Sequence, residues 1–318
     1  MRSSILLSLS FLAAANQWAA AQTVEPRAVL PAGGSGEGAG TSLSWSVGQA
    51  ASATYSDGSS AATAGVQQPE GVRLRLNMAA LLDGPYDAAT DLMHDSLRTR
   101  GLLPLTEPFS AMGLTPVGLQ GATQLAPEAL LTTGPNALVD WVLIELRGAD
   151  DASRVDAARA ALLQRDGDVV DVDGASPVRI TALYGSYRIA LLHRNHLPVL
   201  TQAPVALGPG ENAFDLIAGS TPLHLPDAQV QRDGRHLLWQ GDANGDGTVK
   251  YVGADNDRDP VLVAIGGTVP TNTTNGYLPT DVNMDGTVKY VGASNDRDPM
   301  LITIGGSVPT AVRAQPLP

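Results

Sequence analysis

From Val72 the chain alternates strictly. Val72, Leu74, Leu76 and Met78 stand on one face, and Arg73, Arg75 and Asn77 on the other. A period of two predicts a half-buried strand, because successive side chains leave a strand on opposite sides. The same alternation appears earlier, where Leu43, Trp45 and Val47 interleave with Ser42, Ser44 and Ser46. The following "TYSDGSSAATAG" predicts a second short strand around an Asp-Gly turn, so this segment reads as a hairpin or small sheet. "ALVDWVLIELR" is almost continuously apolar and suits a central strand covered on both faces. "ALLQRDGDVVDVDG" sets a short β-branched strand between two Asp-Gly turns, and "GSYRIALLHRN" and "PVLTQAPVAL" continue the series. Helical periodicity is confined to "DLMHDSLRTRG" and a fainter pattern in "SRVDAARAALL".

Together these segments predict a mainly β protein, with a β-sandwich over 72–207. Ahead of it, 22–71 reads as a flexible Gly/Ser-rich lead-in carrying the short hairpin. Connecting strands occupy 208–240, with "LGPGENAFD" as a turn and "GRHLLWQ" as a strand. Two loop–short-helix repeats fill 241–310, and 311–318 is a tail. Residues 1–21 read as a secretory signal peptide: Arg2 supplies the positive end, 5–15 the apolar run, and Ala19, Ala20 and Ala21 the small-residue cleavage site. That run is too short to cross a bilayer, so the expectation is a secreted or cell-surface protein without a transmembrane segment.

Composition sharpens the picture at two points. The 318 residues include no cysteine, so an exported chain must be held by its core or by bound metal. The net charge of −12 argues against nucleic acid and anionic membranes as partners and favours divalent cations.

The clearest chemistry lies in a repeat. "DANGDGTVKYVGADNDRDP" begins at Asp242 and returns 39 residues later as "DVNMDGTVKYVGASNDRDP". Calcium takes six to eight oxygens at about 2.3–2.6 Å, and one loop supplies them when oxygen side chains alternate and a glycine allows a tight turn. Asp242, Asn244 and Asp246 occupy positions 1, 3 and 5, Gly247 position 6, and Thr248 offers its carbonyl at 7. Asp281, Asn283, Asp285, Gly286 and Thr287 repeat the set. Asp-Gly alone would make plain hairpin turns, but two full copies with the same downstream acids point to two calcium ions per chain. From Asp242 to Asp298 there are nine acids and four bases, and two Ca²⁺ would neutralise most of the excess.

Position 12 departs from the pattern, because Gly253 and Gly292 stand where a closing carboxylate belongs. An insertion, "YVGADN" or "YVGASN", would let Asp259 and Asp298 close the shells while Asp257 and Asp296 cap the short helices. The reverse assignment of these two roles stays open. Each helix would run through "VLVAIGG" or "MLITIGG" and stop at Gly-Gly before Pro.

With "DANGDGTV" and "DVNMDGTV", the paired units resemble a dockerin-type calcium module of two half EF-hands, and the resemblance implies calcium binding. A wider resemblance rests on "GTSLSWSVGQ", "LLDGPYDAATDLMHDSLRTRGLLPLTEPF", "VDWVLIELR", "LLQRDGDVVDVDG" and "HRNHLPVLT". These look like secreted surface proteins of the Bacteroidetes type, some of them haemagglutinin-like, which implies adhesion to a cell-surface glycan or protein.

Other candidates read more plainly. His193 and His196 in "HRNH" would face opposite ways on a strand, so they read as a polar strand end rather than a metal site. Asp166, Asp168, Asp171 and Asp173 lack the full loop spacing and read as hairpin turns. Trp141 reads as core, while Tyr184, Tyr187 and Trp239 are open as sugar-stacking residues. No GxSxG, HExxH or P-loop is present, so the expected function is non-enzymatic calcium-dependent adhesion. The alternatives are a module docking onto a partner protein, and a carbohydrate-active hydrolase with structural calcium.

Overall fold

The computed structural model describes residues 73–114 and 123–318, and the backbone of four strands before them. The segment expected to be a signal peptide lies outside the described residues. The chain divides into two compact units, Met1–Glu70 and Gly71–Pro318. In the first, β1 (Ala32–Gly38) pairs antiparallel with β2 (Thr41–Val47), and β3 (Ala53–Ser56) with β4 (Ala61–Ala64).

The second unit opens with β5 (Arg73–Ala79), the small hairpin β6 (Tyr86–Asp87) and β7 (Leu92–Met93), and helix α1 (Ser96–Thr99). Then come β8 (Leu138–Gly148), β9 (Val155–Gln164), β10 (Asp168–Val170), β11 (Val178–Thr181) and β12 (Gly185–Leu192). The short strands β13 (Val199–Leu200), β14 (Val205–Leu207) and β15 (Glu211–Asp215) complete a nine-stranded sheet. Its path is β11-β5-β10-β9-β8-β12-β13, with β14 added to β12 and β15 to β5. Every pairing is antiparallel except β15–β5. Among the described residues the protein is thus mainly β, with one large, mostly antiparallel sheet, several two-stranded sheets and only short helices.

The alternation in β5 is realised, with Leu74, Leu76 and Met78 buried and Arg73 and Arg75 exposed. All eleven residues of β8 are buried, as a continuously apolar strand requires. Trp141 lies fully inside it, and its indole N–H donates to the Pro104 carbonyl at 2.9 Å. That bond meets the polar requirement of a buried indole.

Both helical expectations fall largely to tertiary context. "SRVDAARAALL" is not a helix but the long strand β9, paired on both edges with β8 and β10. Ala157, Ala160, Ala161, Leu162 and Leu163 are all buried there, more than one helix face could cover. In "DLMHDSLRTRG" only Ser96–Thr99 is helical, because Leu92 and Met93 pair with Asp87 and Tyr86.

Beyond the sheet, β16 (Gln229–Arg232) and β17 (Arg235–Leu238) form a hairpin. The repeats follow: β18 (Thr248–Lys250), α2 (Arg258–Ala264), β19 (Thr273–Asn275), β20 (Thr287–Lys289), α3 (Arg297–Thr303) and β21 (Val312–Ala314). Strand pairing is exchanged between them. β19, which follows the first helix, pairs with β20 of the second loop, and β21, which follows the second helix, pairs with β18 of the first. Lys289 stands opposite Thr273, and Lys250 opposite Val312, the same register moved by one repeat. The segment read as a tail therefore supplies a strand to the first loop.

Candidate metal centre

Each loop is wound by its own acids. In the first, Asp242 accepts from the Gly247 N–H at 3.0 Å and the Asp246 N–H at 3.1 Å, and Asp246 accepts from Thr248 at 2.8 Å. In the second, Asp281 accepts from Gly286 at 2.8 Å and Asp285 from Thr287 at 2.8 Å. Asn244 and Asn283 each accept from the N–H two residues on, at 2.9 Å. The left-handed position 6 falls on Gly247 (φ 77°) and Gly286 (φ 84°), where a side chain would be strained. Positions 1, 3, 5, 6 and 7 thus form one compact turn in each copy.

The two downstream acids separate cleanly. Asp257 is fully buried, and its carboxylate reaches back into the loop to accept from Ala243 at 2.9 Å, Asn244 at 3.3 Å and Lys250 at 2.8 Å. Asp296 does the same to Val282 at 2.7 Å, Asn283 at 3.3 Å and Lys289 at 2.7 Å. The side chains of Asp259 and Asp298 are 57% and 52% exposed and face Arg258 and Arg297. This geometry favours the reverse of the first assignment of roles. Asp257 and Asp296 turn into their loops, and Asp259 and Asp298 stay outside them. Left-handed turns at Asp255 (φ 54°) and Ser294 (φ 53°) swing the insertion back to make this possible.

Asp257 and Asp296 are also not the side-chain caps. Asn256 and Asn295 accept the Asp259 and Asp298 N–H at 2.9 Å, and sequence reasoning missed both. The signal was present, since asparagine three residues before a helical N–H is a favoured cap.

Burial without a cation disfavours the charged carboxylates. It pushes Asp242 up to about 7, with Asp257 and Asp246 adding to the effect against the Gly247 N–H. Burial raises Asp296 to about 7 and Asp257 to about 6 against the backbone N–H groups that hold them. Asp281 is pushed by burial to about 6, restrained chiefly by Arg194. Asp259 and Asp298 go the other way, held low first by the Asn256 and Asn295 amides and also by their arginines.

The HRNH segment is a buried hub between the sheet and the second loop, not a polar strand end. His193 and His196 meet with Nδ1 atoms 3.0 Å apart, because the chain turns after β12. The Gly84 N–H donates to His196 Nε2 at 3.1 Å, which leaves the His196 proton on Nδ1, where it faces Asn195 Oδ1 at 2.8 Å and His193 Nδ1 at 3.0 Å. His193 then donates from Nε2 to Asp140 at 3.2 Å. Burial is the first cause lowering the proton affinity of both rings, with Asp140 opposing it at His193. This tautomer leaves no lone pair on His196 Nδ1 for a metal. Asp140 also accepts from Arg194 at 2.9 Å, Tyr277 at 2.6 Å and the Trp141 N–H at 2.7 Å. Burial alone would raise its pKa, but Arg194 and His193 win and hold it at about 2. Asn195 ties both loops to the hub, donating to the Asp281 carbonyl at 2.6 Å and accepting from the Gly241 N–H at 3.0 Å.

The inner helix faces, Val261, Ile265, Met300 and Ile304, are buried in a second small core, with Leu262 and Leu301 partly covered. Val263 and Ile302, one repeat apart, are 70% and 54% exposed. Trp239 is partly buried beneath the Arg313 guanidinium, 3.7 Å from its ring centre, while Tyr184 is exposed. In "RDGDVVDVDG", Asp173 accepts from Ala175 at 3.0 Å and Ser176 at 2.8 Å, and Asp166 accepts from Asp168 at 3.3 Å. Those are turn bonds, as expected. A cavity of about 290 Å³ opens beside Asp168 and Asp215, the place a hydrolase reading would use. Burial and Asp166 raise the Asp168 pKa, while Asp215 Oδ1 is engaged by the Ile217 N–H at 2.7 Å.

Among the described residues, no three His, Asp or Glu side chains are already gathered as metal ligands. The three acids of each loop act on one another electrostatically, and hard-cation cages draw as much on Asn and main-chain oxygen as on carboxylates. The donor set fits calcium on a more specific ground. Asp281 Oδ1 is buried with no hydrogen-bond partner, an arrangement that is costly unless something positive meets it. The chain matches no family model, no curated protein and no solved structure.

Proposed function

We propose that this is a secreted, non-enzymatic β-protein whose C-terminal repeats bind two calcium ions. Asp242, Asn244, Asp246, the Thr248 carbonyl and Asp257 would hold the first, and Asp281, Asn283, Asp285, the Thr287 carbonyl and Asp296 the second. The observation that carries the reading is the unpartnered, buried Asp281 Oδ1 at position 1 of a loop with the full donor pattern. A bound ion would favour the charged form of the four buried carboxylates and do the stapling that disulfides do in other exported chains.

In this reading the large sheet folds into a two-layer sandwich across β10, which pairs by only two residues with each neighbour. Complete burial of β8 supports covered faces on both sides. The sheet unit would then carry the adhesive surface, for a cell-surface glycan or protein, and the module would brace it.

Thermal unfolding of the mature chain with calcium and with chelator tests the reading. Two sites at one hundred times Kd add about 5 kcal/mol, a rise in Tm of about 10 °C for a unit of this size. An unchanged Tm would overturn it.

A further inference from the structure

We propose that the two cages are unequal: the second is a slow-exchanging clamp that fixes the module to the sheet, and the first is the exchangeable site. This rests on the calcium reading above.

The difference begins at position 4. Gly245 in the first loop is exposed, and a Cβ there would meet no atom within 4 Å. Its counterpart Met284 is 1% exposed and belongs to the core of the large sheet, although its backbone sits at φ 60°. A methionine held in the left-handed region is strained, and burial of its side chain is what keeps it there.

The rest of the second loop is pinned from the same side. Arg100 donates to the Asp285 carbonyl at 2.5 Å and Thr287 Oγ1 at 2.7 Å, and its other amino group reaches Asn275 at 2.8 Å. His94 bonds the Asn283 carbonyl at 3.1 Å and Asn195 the Asp281 carbonyl at 2.6 Å. Gly84 approaches so closely that a Cβ would lie 2.4 Å from the Val282 carbonyl oxygen. In the first loop, Asn244, Gly245 and Asp246 are exposed. Main-chain bonds hold its flanks, from Gly241 to Asn195 at 3.0 Å and from Gln315 to Gly247 at 2.8 Å.

An ion leaves when its donors open. A loop anchored by side chains of another element opens only with that interface, whereas an exposed loop opens alone. The anchored loop also loses less conformational freedom on binding. One effect opposes this, because the Arg100 guanidinium lies 4.0 Å from Asp285 Oδ1 and repels a divalent ion. Arg100 is more than a third exposed, so solvent screens it. Exchange rate is therefore the sharper readout than affinity.

The experiment mixes the calcium-loaded mature chain with a fluorescent chelator in a stopped-flow instrument. Two phases of equal amplitude are expected, the slow one at least about ten-fold slower. Asp246→Ala removes the fast phase and Asp285→Ala the slow one. Met284→Gly keeps every ligand and removes only the anchoring side chain; because it leaves a core cavity, its melting in saturating calcium is measured first to show that it is folded. It should speed the slow phase at least about five-fold and leave the fast one unchanged. Release of two ions at one rate, or a slow phase indifferent to Met284→Gly, overturns the inequality alone. A chain that releases no calcium overturns the calcium reading with it.

Discussion

Asp257 and Lys250 hold each other twice: the Asp257 carboxylate accepts the Lys250 N–H at 2.8 Å, and the Asp257 N–H donates to the Lys250 carbonyl at 2.9 Å. Asp296 and Lys289 repeat this at 2.7 and 2.9 Å. The buried acid is thereby fixed inside its loop, opposite the position-1 aspartate. Asp257→Asn should weaken the first site by about 100-fold or more, and Asp296→Asn the second, since carboxylate count sets affinity in such loops. Asp259→Asn and Asp298→Asn should change either site by less than about three-fold, because both carboxylates are exposed and pair with arginines outside the loops. Calorimetric titration of the four variants checks this, and the opposite ranking would return the closing role to Asp259 and Asp298.

Protons compete with calcium for the same oxygens. Asp242 and Asp296 stand near 7 and Asp257 and Asp281 near 6, above the ordinary carboxylate value of 3.8. A raised folded value means that the native state binds more protons than the unfolded chain between the two values. Metal-free stability therefore falls as pH rises from about 4 to about 7, while calcium affinity climbs over the same window. Chelator-stripped protein should melt higher at pH 5 than at pH 8, and millimolar calcium should reverse that order. Identical melting at the two pH values without metal would contradict the burial argument.

Glycine at position 6 of the second loop is favoured by φ, and the ends of two neighbouring side chains would have to move to admit a Cβ. A Cβ on Gly286 would lie 2.7 Å from Leu102 Cδ1 and 3.0 Å from the Arg100 guanidinium. One on Gly253 would meet nothing within 4 Å, although φ is 100° there. Gly286→Ala should cost about 1–2 kcal/mol and Gly253→Ala about 1 kcal/mol. Urea unfolding in saturating calcium distinguishes them, and equal losses would mean that strain alone acts.

The hub is a buried ion pair and should behave as one. Asp140→Asn leaves Arg194 uncompensated and should cost about 3–5 kcal/mol, whereas Asp140→Asn combined with Arg194→Met should recover part of the loss. Because Asp140 is held at about 2, its contribution is complete above about 4 and disappears as pH falls through 2. Acid titration of the wild type against Asp140→Asn reads this out. Matching acid midpoints would remove the pair from the account.

How much of this was legible beforehand depends on the range of the interaction. Strands β5 and β8 could be read because each is set by its own periodicity. The loops could be read because Asp, Asn, Asp and Gly must recur at fixed spacing to wind one turn. What failed was decided at long range. The alanines of β9 satisfy helix and strand alike until β8 and β10 claim both edges. The choice between Asp257 and Asp259 turns on left-handed residues at Asp255 and Ser294, which no spacing rule announces. Likewise the HRNH segment looked solvated because Asp140, Tyr277 and Gly84 lie far from it in sequence. The exchange of β19 and β21 between the repeats is a pairing choice that two near-identical loop sequences leave open.

The central claim is that two loops make two calcium cages, and a calorimetric titration of the chelator-stripped mature chain tests it most directly, run beside the Asp246→Ala/Asp285→Ala double variant. The account predicts two ions per chain in the wild type and none in the variant. Absence of heat and of any melting shift in the wild type at millimolar calcium would contradict it and reduce both loops to ordinary turns.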